Sequence, residues 1–138
     1  MTTSSDPIRV LDGHNDLPWR HRDVAGYDLD ACDIAESQPH LHTDLPRMRE
    51  GGLAAQLWSV WVPCSMVGEE AVAATHEQID FVEALCRRYE EMVPARTAAQ
   101  VRAAWAEGRH AALIGMEGGH SINRSLATLE AFAERGAR

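Results

Sequence analysis

Three short apolar runs punctuate the chain, at positions 8–11, 53–62 and 111–116. Each is rich in β-branched or bulky residues and stops at Gly, Pro or a polar cluster, which predicts three strands. The middle run, AAQLWSVWVPC, alternates only in part and carries apolar residues on both faces, as strands of a parallel sheet do. Trp58 and Trp61 are three apart, so they project to opposite faces, one against a helix and one toward an interior.

Between the strands the apolar spacing changes to three and four. Thr43 or Asp44 caps a short helix that opens at Pro46 and ends before Gly51-Gly52. Val72, Ile79, Val82, Leu85, Tyr89 and Met92 form one stripe of a long helix over 69–92. Thr97 caps a third helix, stopped by Gly108, and Ser125 a fourth, stopped by Gly136. Pro18 is read as the end of the first strand. Strand and helix alternate, which predicts parallel strands joined by right-handed crossovers. A further strand is due just after Gly136, because three strands alone would leave long edges unpaired. Residues 1–7 are expected to be disordered.

Composition narrows the possibilities. The chain has 138 residues, 45% of them apolar, enough for a core but small for anything beyond one domain or part of one. The net charge is −8, and all 13 cations are arginine. An acidic chain without a basic cluster argues against nucleic acid and gives no reason for an anionic membrane surface. No apolar run approaches the roughly 20 residues of a membrane-spanning helix, and no secretory leader is visible. Cys32, Cys64 and Cys86 fit no metal-binding spacing. Their odd number, with no leader, suggests reduced thiols and a cytoplasmic location.

Two stretches carry candidate chemistry. In LDGHNDLPWR, His14 and Asp16 are two apart at the end of the first strand. If the chain stays extended, they form side-by-side zinc ligands. An Asx-turn or a helix cap explains the same spacing. Gly13 is read as backbone room beside the site. Asn15 points away, and Asp12 faces away from His14 unless the chain turns at Gly13. From there Asp12 could accept a hydrogen bond from a histidine or a loop amide. In LIGMEGGHS, Glu117 ends a buried strand and precedes Gly118-Gly119, where a carboxylate faces a crevice unless it is a surface glutamate in a turn. Glu117 and His120 share the E-x-x-H spacing of helical di-iron sites, but the intervening glycines make a helix there improbable. GMEGG is no nucleotide-binding fingerprint, and no nucleophile elbow exists. His40 and His42 are read as loop residues.

Taken together, VLDGHNDLPWR, TDLPRMREGGLAAQLWSVWVPC and LIGMEGGHSI closely resemble the N-terminal segment of the membrane (renal) dipeptidases, the M19 zinc peptidases. The resemblance implies an α/β fold, the N-terminal part of a TIM (β/α)8 barrel, with about three βα units here. It also implies two Zn²⁺ ions per complete site. His14 and Asp16 match the family's H-x-D pair on one zinc, and Glu117 matches the glutamate bridging both; Asp12 would support them from behind. The second zinc's histidines and the family's substrate-binding residues match no position in these 138 residues. Cys64 matches a cysteine that pairs in animal members with a partner further on. The implied chemistry is hydrolysis of dipeptides by a hydroxide bridging two zincs, with a homodimer suggested by the family. The 138 residues then read as the N-terminal fragment of one barrel domain, inactive alone. Two other readings compete: a non-catalytic metal- or partner-binding remnant, and another metal-dependent amidohydrolase on the same barrel.

Overall fold

The computed structural model describes residues 8–138; the expectation of a disordered 1–7 lies outside them. Four parallel strands form one sheet in the order β1-β2-β4-β3: β1 Val10–Asn15, β2 Leu53–Trp61, β3 Met92–Pro94 and β4 His110–Glu117. Five helices connect and cover them: α1 Leu17–Ala25, α2 Leu45–Glu50, α3 Gly68–Arg88, α4 Ala98–Ala106 and α5 Leu126–Glu134.

The caps that organise the helices are local. Asp44, Thr97 and Ser125 each accept a hydrogen bond from the backbone amide three residues on, satisfying a donor that the helix itself leaves unpaired. Asp44 does more. Fully buried, it also accepts from the Gln38 amide and from the Arg47 guanidinium, tying the 38–47 loop to α2. Arg47 and these amides hold the Asp44 carboxyl below the usual carboxylate range despite the opposing pull of burial.

Several expectations needed correction. A helix, α1, follows the first strand at once, with Pro18 in its first turn rather than at the end of the strand. The first strand begins at Val10 instead of Ile8 and runs on to Asn15. The long helix ends at Arg88, where Tyr89 turns extended, and Met92 starts a short strand against His110–Ala112. Tertiary pairing with β4 here overrides a helical spacing. Ala137 pairs in parallel with Ile114, and Arg138 exchanges backbone bonds with Ile114 and Met116, where a further strand was anticipated.

Register fixes the faces. Residues opposite one another in a parallel pair share a side, so Ala55, Leu57, Ser59 and Trp61 line up with Ala111, Leu113, Gly115 and Glu117. The other face presents Trp58, Val60, Ala112 and Ile114 to a core built with Ile79, Val82 and Leu85 of α3. Trp58 is fully buried there, while Trp61 meets Trp19 edge-on at 5.3 Å. Helix α4 covers the lower end of the first face through Val101 and Ala104 against Ala55 and Ala111. Ser59 and Glu117 stand at its upper, C-terminal end, where parallel barrels carry their chemistry.

Candidate metal centre

Strand β1 departs from regular pairing at its upper end. Asp12 pairs with Gln56 and Asn15 with Trp58, so three steps on β1 face two on β2. This inserted residue is a bulge, a device that re-aims side chains. The Asp12 carboxylate turns back and accepts a hydrogen bond from the His14 amide at 3.1 Å. A Cβ at Gly13 would meet no atom within 4 Å.

Asp16 occupies the N-cap position of α1 yet makes no capping bond. The Asn15 carboxamide takes over, accepting from the Leu17 amide at 3.0 Å and donating to Thr43 Oγ1 at 2.8 Å. Asn15 thus points away from the site, and the Asp16 carboxylate stays available. It lies 3.2 Å from His14 Nε2.

Strand β4 brings in the third group. Glu117 Oε2 sits 3.5 Å from His14 Nε2 and accepts a hydrogen bond from the Ser59 hydroxyl at 3.1 Å. One ligand atom from each of His14, Asp16 and Glu117 lies within 4.8 Å of the other two, and all three residues are exposed. Among the described residues, no other group of three His, Cys, Asp or Glu side chains converges in this way. The turn after Glu117 is enforced by Gly118 at φ 91°, where a Cβ would come 2.7 Å from the His120 ring. His120 is drawn aside, donating from Nε2 to the Val62 carbonyl at 3.0 Å, so it does not join Glu117. His40 and His42 lie in a loop, as expected, but on the wall of a cavity of about 620 Å³ that also contains His14 and Asp16.

Sequence reasoning missed Ser59. It reads as one polar residue inside an apolar strand, and only the β2–β4 register, Ser59 beside Gly115 and two residues below Trp61–Glu117, reveals its role.

A model of the membrane dipeptidase family, peptidase family M19, matches residues 5–138. Dipeptidase 3 of Rattus norvegicus is 36% identical over 129 residues, covering 94% of this chain and 26% of the relative. Dipeptidase verJ of Clonostachys rogersoniana is 33% identical over 142 residues, covering 95% and 36%. The structure of dipeptidase AC, a metallo peptidase of family M19, superposes with a TM-score of 0.79 at 28% identity, over 96% of this chain and 42% of that one. A metallo peptidase from Rhodobacter sphaeroides, solved with a phosphinate mimic of the dipeptide L-Ala-D-Ala, superposes at 0.78 and 27% identity, over 96% and 44%. The chain spans about a quarter to a third of the length of these curated relatives. Its parallel sheet is the N-terminal part of a TIM-barrel-like fold.

The expected cytoplasmic location is overturned. The matched family is that of the membrane dipeptidases and the mammalian relatives are Dipeptidase 3, which points to membrane-anchored or extracellular enzymes. No helix among the described residues is long and apolar enough to cross a membrane. A span of this length carries no information on leaders or anchors, and three free thiols do not fix a compartment. With its family model matched from residue 5 to the end and its sheet superposed on an M19 dipeptidase and on a second metallo peptidase, the chain belongs to the membrane dipeptidase family.

Proposed function

We propose that this chain supplies the first half of a binuclear zinc site in a dipeptidase. His14 and Asp16 hold one ion, and Glu117 bridges it to a second whose remaining ligands come from outside these 138 residues. The observation that carries the reading is a pair of distances. Zinc bonds of about 2.0–2.2 Å in tetrahedral array set neighbouring donors about 3.3–3.6 Å apart. His14 Nε2 stands 3.2 Å from Asp16 Oδ1 and 3.5 Å from Glu117 Oε2, close to that edge length. One imidazole with two carboxylates is also a donor set that zinc accepts.

When bound, zinc supplies a Lewis acid for the scissile carbonyl and lowers the pKa of water from about 15.7 to about 7. The protein's part is orientation. Asp12 pins the His14 amide, and Asn15 caps α1 so that the Asp16 carboxylate stays free. Ser59 fixes one oxygen of Glu117, and the other has no partner among the described residues. That leaves it open toward a second ion.

The test uses the whole protein. Zinc content and dipeptide hydrolysis are measured for wild type and Glu117→Gln. The reading expects about two zincs and hydrolysis in the wild type, and loss of both hydrolysis and zinc in the variant. Two zincs with no cleavage of any dipeptide would favour another amide substrate. An amidohydrolase from Pseudomonas aeruginosa, superposed at a TM-score of 0.56 over 67% of this chain, makes that a real alternative. No zinc bound at all would favour the non-catalytic reading.

A further inference from the structure

Besides the proposed metal ligands, the cavity of about 620 Å³ is lined by Arg20, His40, His42 and Arg47. The two guanidiniums differ. Arg47 is neutralised by the buried Asp44 carboxylate and donates to the Gln38 and Leu41 carbonyls. Arg20 is exposed, and among the described residues no carboxylate or carbonyl engages its side chain. Its neighbour on α1, Arg22, has found partners in Glu77 and the Trp19 ring. Of the carboxylates inside the cavity, Asp12 accepts from the His14 amide and Asp16 faces the His14 imidazole, and neither pairs with Arg20. Arg20 therefore presents an uncompensated fork of donors to a concave wall that already holds two proposed metal ligands.

Helix α1 sets the distance. The Arg20 amide donates to the Asp16 carbonyl, which places Arg20 one turn beyond Asp16 on the same side of the helix. Residues so spaced have Cβ atoms about 5–6 Å apart. That span suits a substrate whose peptide group sits at Asp16 while an acidic side chain reaches along the helix. A guanidinium matches a carboxylate in two parallel bonds, a geometry that neutral side chains do not offer.

We propose that Arg20 is a specificity-determining residue that receives a side-chain carboxylate of the substrate, so that dipeptides containing aspartate or glutamate are the preferred class. This rests on the dipeptidase reading for the identity of the substrate, but it can fail separately.

The experiment compares the zinc-loaded whole protein with Arg20→Gln and Arg20→Lys on Ala-Asp, Asp-Ala and Ala-Ala. Losing a charge-assisted bond at an exposed site corresponds to about a tenfold rise in KM. That rise is expected for an acidic dipeptide, with kcat and the Ala-Ala constants unchanged and part of the loss recovered by lysine. Which acidic dipeptide responds identifies the side of the peptide bond involved. An equal loss on all three substrates would assign Arg20 to the main-chain carboxylate or to structure and overturn the proposal, as would no change on any. A binding measurement separates this from the fate of the activity. Acetyl-aspartate amide should bind wild type about tenfold better than acetyl-asparagine amide, and Arg20→Gln should abolish the difference. If no dipeptide is cleaved but this preference holds, the dipeptidase reading falls and Arg20 stands. If dipeptides are cleaved without the preference, Arg20 falls alone.

Discussion

Ser59→Ala tests how the Glu117 carboxylate is held. Ser59 is 2% exposed, and its hydroxyl donates to Glu117 Oε2 at 3.1 Å. Alanine fits the same space, so the change removes one donor and almost no packing. A hydrogen bond to a charged group contributes roughly 1.5–3 kcal/mol. The Glu117 side chain is 49% exposed, so water partly replaces the lost donor and the lower end applies. A loss near 1.4 kcal/mol is about tenfold in affinity. That agrees with the roughly 10–100-fold cost of removing groups that orient metal ligands. The assay is a competitive zinc titration of wild type and variant against a chromophoric chelator, with urea midpoints measured in parallel. Weaker zinc binding by about tenfold at an unchanged midpoint is the expected result. An unchanged zinc affinity would refute the role given to Ser59 and weaken that of Glu117 Oε2.

Other perturbations follow from the same contacts. Asp44→Ala removes the acceptor of the Arg47 guanidinium and of the Gln38 and Arg47 amides; because Arg47 is half-exposed and can rehydrate, loss of the cap and of the charge-assisted bonds costs about 2–3 kcal/mol, and a fall in stability by urea below about 1 kcal/mol would contradict it. Gly118→Ala imposes a φ of 91° on an L-residue and drives a Cβ into the His120 ring, so a loss of about 1–3 kcal/mol by denaturation is expected. Burial holds the His21 and His110 imidazoles below their ordinary pKa of 6.5, and each ring keeps one buried nitrogen without a partner. The unfolded chain then binds more protons than the folded one below pH 6.5, so stability is full above that pH and falls as acid is added. Urea midpoints measured from pH 7.5 to 5 should drop below about 6.5, and less steeply in His110→Gln.

Much of the fold was legible because its signals are local. The periodicity of α3 and the caps at Asp44, Thr97 and Ser125 depend on residues within a turn of one another. Helix α1 escaped notice because its buried face is narrow, Leu17, Pro18 and His21, and its opening Leu-Pro resembles the end of a strand. Strand β3 was hidden because Met92 continues the helical stripe, and only β4 pulls it straight. Within the site, His14, Asp16 and Glu117 could be singled out by their positions at strand ends. The bulge that aims His14 comes from the register of β1 against β2, and the Ser59–Glu117 bond joins residues 58 apart. Neither leaves a trace in the local pattern.

The most direct test of the central claim is an anomalous-scattering map at the zinc edge from crystals of the whole protein. A peak about 2.0–2.2 Å from His14 Nε2, Asp16 Oδ1 and a Glu117 oxygen is the result expected. A zinc-loaded crystal with no peak among these three residues would contradict it.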